Sequence, residues 1–249
     1  MADKNEIQTL NEVHAEGRII GTGKNYRGYY TVRLFIRGRK NAIVSFVVDA
    51  MDPSIRYGDY VKIDGFTRSY GYQQEPYADG QPRKWVNVQE FVAVHVEKIE
   101  ETEMMQKFGL EGRYYDAAFF RAYIKGEVTT ALNISDRYAK LVVKTSGGGT
   151  DRRPSYIVLN YQKGGHWLPT FDYAKGDVVC VVASVYTTDK DLRGEQVHFE
   201  NLVVEDIVRV FEAPRDAAHT PARAMPSVGK NEIDAADVGD PDEDFEDMI

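Results

Sequence analysis

The chain has 249 residues, of which 43% are apolar, a formal net charge of −8 and a single cysteine. The apolar content excludes a disordered chain, and the length suits one large domain or two domains of about 100 residues. One cysteine excludes an internal disulfide framework, and without a signal pattern or an apolar run long enough to cross a bilayer we expect a soluble, cytoplasmic protein.

Strand patterns fill the first part of the chain, residues 1–100. Apolar side chains recur there at every second position, which is the period of a β-strand with one buried face. Turn-forming sequences such as Asp52-Pro53 separate these runs, which are Val32, Leu34 and Ile36, then Val61 and Ile63, then Val86 and Val88. We therefore predict a small all-β unit of about five strands.

The same unit recurs in residues 119–212, after a connector at 101–118. Gly58-Asp59 and Gly176-Asp177 each precede an alternating Val/Ile run and lie 118 residues apart, while matching segments upstream and downstream lie 109 and 111 residues apart. The changing offset indicates two copies with loops of different length, the first with the longer second hairpin and the second with the longer middle connection. A five-stranded Greek-key barrel, the OB-fold, fits each copy. The predicted fold is all-β, with two tandem OB-fold barrels.

A tail rich in Pro, Ala and Asp begins at residue 213. Residues 231–249 hold nine acidic residues and no basic one, so residues 1–230 carry 31 basic against 30 acidic side chains. With almost no β-branched or aromatic residues, the segment 213–249 is predicted to be disordered. The acidity is thus a property of the tail, and a polyanion site in the body depends on local clustering of basic residues.

The sequence contains no convincing catalytic pattern. Gly21-Thr22-Gly23-Lys24 matches part of a phosphate-binding loop but lacks the earlier glycine and the Ser/Thr that this motif requires. The five histidines are scattered without the paired spacing of a metal site, and no histidine lies near Cys180 in the sequence. We expect neither an enzyme nor a bound metal or cofactor.

Aromatic and basic side chains are interleaved on the face of the first copy that alternates with its apolar positions. Single-stranded nucleic acid gives such a face a function, because unpaired bases stack on aromatic rings at about 1–3 kcal/mol each while Lys and Arg contact the phosphates. The predicted DNA-binding residues of this copy are Tyr29, Arg33, Phe35, Arg37, Lys62, Phe66, Arg68, Tyr70, Tyr72, Tyr77, Arg83, Lys84 and Trp85.

Two structural alternatives stay open for these aromatic residues. Tyr and Phe in β-proteins are often half-buried in cross-strand pairs, which would give them a packing role. In addition, Gly65 is a candidate β-bulge, which would reverse the alternation and move Phe66, Tyr70 and Tyr72 to the other face together.

The second copy offers a poorer set of such residues. The position of Trp85 is filled by Gln196, so we expect this barrel to bind more weakly or through its backbone. Its predicted DNA-binding residues are Tyr138, Lys140, Lys144, Arg152, Arg153, Tyr156, Trp167 and Tyr186.

Three features together resemble the single-stranded DNA-binding proteins of bacteria and their phages. They are Gly58-Asp59 with its alternating Val/Ile run, the basic and aromatic hairpin from Tyr70 to Trp85, and the acidic tail with an apolar tip. The resemblance implies that bases stack on Phe35, Tyr70, Tyr72 and Trp85, and that the protein protects single-stranded DNA of any sequence during replication, recombination or repair. Unlike the usual tetramer of single barrels, this chain has two barrels, so we expect a tandem-barrel phage protein, as a monomer or homodimer.

The resemblance also implies that the tail docks replication or recombination proteins. The implied docking residues are Asp242, Glu243, Asp244, Phe245, Glu246, Asp247, Met248 and Ile249, which differ from the family's Pro-Phe ending. A flexible polyanion beside a cationic groove also competes with DNA at low salt. The alternative is a tail that only keeps the protein soluble.

Two other functions stay open. Exposed Tyr, Trp and Arg are also anchors of protein interfaces, so the barrels of a structural or adaptor protein would carry the same residues. Nothing in the sequence separates DNA binding from RNA binding. A steep loss of affinity with salt would distinguish a nucleic acid from a protein partner.

Overall fold

In the computed structural model, the described residues are 7–25, 27–36, 42–50, 52–74, 84–100, 119–148, 153–164, 168–192 and 195–215, with the backbone alone at 72–74, 84–87, 119, 189–192 and 195–198. Their regular elements are all strands: β1 (Leu10–Lys24), β2 (Tyr30–Ile36), β3 (Ala42–Val48), β4 (Tyr60–Gln74), β5 (Lys84–Ile99), β6 (Phe119–Asn133), β7 (Tyr138–Thr145), β8 (Ser155–Gln162), β9 (Val178–Leu192) and β10 (Glu195–Phe211). None of the described residues forms a helix that is long and apolar enough to span a membrane.

Strands β1 to β5 close into a first barrel. β1 pairs with both β2 and β4, β2 pairs with β3, β3 runs parallel to β5, and β5 pairs with β4. The predicted alternation sets the inside of the ring, since Val32, Leu34 and Ile36 are at most 4% exposed and Val61 and Ile63 are fully buried. This closed five-stranded topology is that of the OB-fold, which confirms the predicted fold class.

Strands β6 to β10 repeat the same ring, in the order β6-β7-β8-β10-β9. Gly58 and Gly176 show how closely the copies correspond. Both take a left-handed backbone, with φ of 90° and 94°, and both donate an N–H bond to the first strand of their barrel, to the carbonyls of Ile19 and Val128 at 2.9 and 2.8 Å. Glycine adopts this conformation readily. The sequence repeat is therefore also a structural repeat.

The two barrels are joined edge to edge through their first strands. β1 pairs antiparallel with β6, from Leu10 opposite Lys125 to Glu16 opposite Phe119. At the centre Val13 lies opposite Ala122, and the repeat offset of 109 makes these two residues equivalent positions. The copies are therefore related by a pseudo-two-fold axis, like the two subunits of a homodimer.

One buried apolar cluster runs through both barrels. The connector at 101–118 and the tail residues 216–249 lie outside the described residues. The domain boundaries at residues 100, 118 and 212 and the disorder of the tail therefore stay predictions. The pairing of β1 with β6 shows that the two barrels share one continuous sheet.

The bulge expected near Gly65 lies on the neighbouring strand. Asp64 pairs with His95 and Gly65 with Ala93, so Val94 of β5 is the extra residue, and it is 65% exposed. β4 therefore keeps its alternation, whereas β5 changes face at the bulge.

This bulge corrects the prediction for β5. The sequence pattern places Val86 and Val88 on the core face, but the core residues of this strand are Phe91 and Ala93, which are 1% and 9% exposed. Val88 instead pairs with Tyr70, a residue of the outer face. From the end of β5, strict alternation would place Val86 and Val88 on the core face. The extra residue at the bulge shifts this alternation by one residue, which explains the error.

Candidate nucleic-acid interface

The turn between β1 and β2 is built by one side chain, that of Asn25. Its Oδ1 accepts the N–H groups of Arg27 and Tyr29, both at 3.0 Å, and the backbone N–H of Asn25 donates to the Tyr29 carbonyl at 2.9 Å. Gly28 takes the left-handed conformation, with φ of 81°, and donates to the Asn25 carbonyl at 2.9 Å. This Asx turn fixes Arg27 and Tyr29 at the end of the hairpin.

Arg27 and Tyr29 meet side chains of β4 and β5. The Arg27 guanidinium lies 5.1 Å from the ring centroid of Tyr29 and 4.5 Å from that of Tyr70, and the Arg68 guanidinium lies 5.8 Å from the Tyr29 centroid. A hydrogen bond with Tyr70 is the main cause that raises the pKa of Arg27. We name the group of Arg27, Tyr29, Arg68, Tyr70 and Glu90 the Tyr29 cluster.

Glu90 places one carboxylate within the Tyr29 cluster. It lies opposite Arg68 in the β4–β5 ladder, accepts a hydrogen bond from Arg68 Nε at 2.7 Å and a second from Nη2, and its other oxygen lies 3.5 Å from the Tyr70 hydroxyl. The side chains of Arg68 and Glu90 are 21% and 12% exposed, whereas Tyr29 is 42% exposed. The cluster thus presents an open tyrosine ring flanked by two guanidinium groups, one of which is held by a carboxylate.

Phe66 is a predicted DNA-binding residue that the structure makes inaccessible. It follows the alternation of β4 onto the outer face, yet it is 6% exposed and packs with Val47 and Val92 in a small buried cluster. The second barrel covers it, since a Cβ added to Gly148 would lie 2.0 Å from Phe66 Cγ. The prediction that bases stack on Phe66 is therefore corrected, because its ring is a contact between the barrels.

Three more predicted residues lie on the outer face of the first barrel. Arg33 is exposed and Phe35 is partly buried on β2. Lys62 is partly buried on β4, where its cross-strand neighbours are Glu16 of β1 and Glu97 of β5. The structure thus brings Tyr29, Arg68 and Tyr70 together and places Lys62 between acidic positions.

Other predicted residues lie outside the described residues, namely Arg37, Tyr77, Arg83, Arg152, Trp167 and the tail residues 242–249. The backbone alone is described for Tyr72, Lys84 and Trp85. In the β4–β5 ladder Tyr72 pairs with Val86, whereas Trp85 pairs with Gln73. The grouping of Tyr72 and Trp85 with Tyr70 as stacking residues stays a prediction.

The second barrel carries an aromatic counterpart of the Tyr29 cluster. By the repeat offsets, Tyr138 stands at the position of Tyr29 and Tyr186 at that of Arg68. Burial is the main cause that raises the pKa of Tyr186, and Tyr138 adds to it, which places the two phenols near each other. Phe199 of β10, 40% exposed, lies two positions from the cross-strand partner of Tyr186.

The charges of this counterpart differ from those of the first barrel. Asp136 stands at the position of Arg27 and Asn201 at that of Glu90 in the repeat. The predicted cations lie elsewhere on the second barrel, with Lys144 opposite the exposed Tyr156 and Lys140 opposite Asn160 in the β7–β8 ladder, and with Arg153 exposed. The counterpart of the Tyr29 cluster therefore has an acidic residue where the first barrel has Arg27.

Sequence reasoning missed Arg27, Glu90 and Phe199. The turn signal Asn25 with Gly28 could have located Arg27 beside Tyr29, because Asn and Gly in these positions favour a tight turn. Glu90 and Phe199 depend on the β-bulge and on the register of the long hairpins, which no local pattern reveals.

Comparisons with known proteins support the fold. No protein-family profile matches the sequence, and no curated protein has significant similarity to it. The wild-type single-stranded DNA-binding protein from Thermus aquaticus matches with a TM-score of 0.51 and 11% identity, over 85% of this chain and 98% of that chain. A mutant of the same protein, with a deletion and a substitution, matches with a TM-score of 0.50 and 12% identity, over 84% and 98%. The chain thus has the fold of that DNA-binding protein.

Proposed function

We propose that this protein binds single-stranded DNA with little sequence preference and protects it during replication, recombination or repair. The Tyr29 cluster carries the proposal, because it presents an exposed tyrosine ring between two guanidinium groups on the outer face of an OB-fold barrel. The fold shared with the Thermus aquaticus protein supports the same function.

The Tyr29 cluster supplies the two kinds of contact that a single strand needs. The Tyr29 ring offers its face to an unpaired base, at about 1–3 kcal/mol per stacked base, and Arg27 and Arg68 supply positive charge to the phosphates. Every base has a π-face, so stacking tolerates any sequence. A duplex hides the faces of its bases and is expected to bind more weakly.

The path of the strand is proposed to continue along the β4–β5 hairpin. After Tyr70 the β4–β5 ladder extends to Gln74 opposite Lys84. We infer that this arm adds contacts from Tyr72, Tyr77, Arg83, Lys84 and Trp85. Arg33, Phe35 and Arg37 of the adjoining β2 segment complete the proposed surface of the first barrel.

A fluorescence titration of the full chain tests the function. The two tryptophans report on binding, and the titrants are oligo-dT, the same length of duplex DNA and oligo-U, each at low and high salt. We expect quenching by oligo-dT that is weaker with duplex and falls steeply with salt, because counterions are released from phosphates. Tighter binding to duplex, or binding that salt leaves unchanged, would contradict the proposal. Tighter binding to oligo-U would reassign the ligand as RNA.

We propose a second role for the tail, which is to dock replication or recombination proteins and to compete with DNA. Its nine carboxylates and the apolar tip of Phe245, Met248 and Ile249 support this role. Deletion of residues 231–249 is expected to raise the affinity for oligo-dT at low salt, since the competing polyanion is gone. Unchanged affinity would contradict the competition. A cytoplasmic monomer or homodimer stays our expectation for the assembly.

A further inference from the structure

A groove opens on the side of the β1–β2 hairpin away from the Tyr29 cluster. It has a volume of about 370 Å³ and lies between the end of that hairpin and the segment 52–57, lined among others by Lys24, Tyr30, Arg56 and Tyr57. Tyr29 and Tyr30 are consecutive in the chain, but their rings have different neighbours. Tyr29 lies beside Arg27 and Arg68, whereas Tyr30 lies beside Lys24, whose Nζ is 4.9 Å from its ring centroid.

The groove combines open aromatic rings with positive charge. Tyr57 is 76% exposed and Tyr30 is 44% exposed, so both rings have free surface. Lys24 and Arg56 contribute two cations and Asp52 one carboxylate to the lining, which leaves a net charge of +1. This is the combination that contacts a base and a phosphate of a single strand.

The segment on the far side of the groove is held in place by hydrogen bonds. Asp52 Oδ1 accepts the Ser54 N–H at 2.8 Å and the Ser54 hydroxyl at 2.7 Å, which lowers the pKa of Asp52. Asp59 Oδ2 accepts the Arg56 N–H at 2.8 Å, and Ile55 is buried below them with 8% exposure. Tyr57 therefore stands on a fixed turn.

The fold itself does not require these four residues. In the second barrel the repeat places Asn133 at the position of Lys24 and Ala139 at that of Tyr30, and these two residues are paired as Lys24 and Tyr30 are. Ala174 and Lys175 stand at the positions of Arg56 and Tyr57. The same barrel thus forms without either tyrosine, so a packing role does not account for them.

We propose that this groove is a second nucleotide subsite, in which a base of a single DNA strand stacks on Tyr57 and Tyr30 while Lys24 and Arg56 contact its phosphate. The inference rests on the proposed function. It extends the bound strand from the Tyr29 cluster around the end of the β1–β2 hairpin. The first barrel therefore binds a longer piece of DNA than the outer face of its sheet alone would cover.

Binding of oligo-dT of increasing length to the full chain tests the subsite. The variant Tyr57→Ala is expected to bind long oligo-dT about 5- to 20-fold more weakly than the wild type, to leave the shortest bound oligonucleotides unaffected and to shorten the occluded length. Adding Lys24→Gln is expected to lower the slope of log affinity against log salt by about one. The matched control is Tyr123→Ala, which removes a tyrosine that is 37% exposed on β6, outside the groove.

The outcomes separate this inference from the proposed function. If the wild type binds oligo-dT and Tyr57→Ala, with or without Lys24→Gln, binds every length equally well, the subsite is refuted while the function stands. If the wild type binds no oligonucleotide, both are refuted. Equal losses in Tyr57→Ala and Tyr123→Ala would also refute the subsite, because a general effect on the fold would explain them.

Discussion

Ser69 and Thr187 make equivalent hydrogen bonds, each from its own barrel to the third strand of the opposite barrel. Ser69 Oγ, on β4, accepts the backbone N–H of Tyr156 on β8 at 2.6 Å, and Thr187 Oγ1, on β9, accepts the backbone N–H of Ile43 on β3 at 3.1 Å. The offset of 118 residues makes the two hydroxyls equivalent positions of the repeat. Thr187 also donates to the Ile43 carbonyl at 3.2 Å.

Their cross-strand partners extend this relationship. Gln89 pairs with Ser69 and accepts the N–H of Val158 at 2.8 Å, and Glu200 pairs with Thr187 and accepts the N–H of Ser45 at 2.6 Å. Each long hairpin therefore satisfies two N–H groups on the third strand of the other barrel. The contact is isologous, as in a symmetric dimer, and it holds each hairpin against the opposite copy.

The first prediction concerns the stability of this contact. Ser69→Ala and Thr187→Val each remove the partner of a backbone N–H of the opposite barrel, which costs about 0.5–1.5 kcal/mol of unfolding free energy per variant. Thr22→Val, at an exposed position of β1, is the control and should change little. Urea unfolding of the three variants measures the difference. Equal stability of all three would show that water replaces these bonds at no cost.

The second prediction concerns Glu200. It stands at the repeat position of Gln89, so this side of the contact has a carboxyl group where the other side has an amide. Burial raises the pKa of Glu200 to about 7, against the hydrogen bonds from Ser45 and the attraction of Arg33, while Glu90 adds repulsion. Because the folded state holds this proton more tightly than the unfolded state, stability falls as the pH rises from about 4.5 to about 7 and stays reduced above that range.

Glu200→Gln should remove this pH dependence. The amide oxygen can still accept the Ser45 N–H, as Gln89 accepts that of Val158, so the variant should be more stable than the wild type by about 1–3 kcal/mol at pH 8. Near pH 4.5 the two proteins should unfold at the same denaturant concentration. If the stability of the two proteins changed with pH in the same way over this range, Glu200 would not be the group that titrates.

Local patterns were sufficient to predict the fold class. Strict alternation in runs such as Val32, Leu34 and Ile36 gave strands with one buried face, and the repeated Gly-Asp turn gave two copies. Arg68 and Tyr70 could be chosen in the same way, since β4 keeps its alternation. These features depend on neighbours in the sequence, which is why the sequence reveals them.

Features that depend on distant contacts could not be predicted. Phe66 follows the alternation of an outer face and is buried because Val47, Val92 and, from the other copy, Gly148 pack against it. Val88 was assigned to the wrong face because the bulge at Val94 shifts the alternation of β5 by one residue. Neither the pairing of the two barrels nor the place of a bulge leaves a local signal in the composition.

The third prediction uses the contact between Gly148 and Phe66. A Cβ at Gly148 would lie 2.0 to 2.5 Å from three atoms of the Phe66 side chain, so Gly148→Ala must displace a buried ring and is expected to cost about 1–3 kcal/mol. Gly23→Ala is the control, because its Cβ would meet no atom closer than 3.9 Å. Thermal unfolding compares the two variants. A small effect of Gly148→Ala would mean that the barrels separate at this point at little cost.

The fourth prediction concerns the carboxylate in the Tyr29 cluster. Glu90 binds Arg68 through two hydrogen bonds and so competes with a DNA phosphate for the same guanidinium. Glu90→Gln removes one negative charge from the site and is expected to raise the affinity for oligo-dT by about 3- to 10-fold at low salt. The gain should shrink as salt is added. A loss of affinity would show that Glu90 mainly positions Arg68.

The fifth prediction compares the two barrels. Tyr29→Ala with Tyr70→Ala should lower the affinity for oligo-dT by about 30-fold or more, since two rings at about 1–3 kcal/mol each are lost. Tyr138→Ala with Tyr186→Ala should lower it by less than about 3-fold, because a single strand is held by stacking and phosphate contacts together.

The difference arises from the cations beside the rings. In the first barrel Arg27 and Arg68 lie within 5.8 Å of the Tyr29 centroid, whereas the second barrel has Asp136 and Tyr186 at their positions. Circular dichroism and thermal unfolding of both double variants separate lost binding from lost structure. If the second pair weakens binding more than the first, the main binding surface lies on the second barrel, and the charge of Asp136 does not limit it.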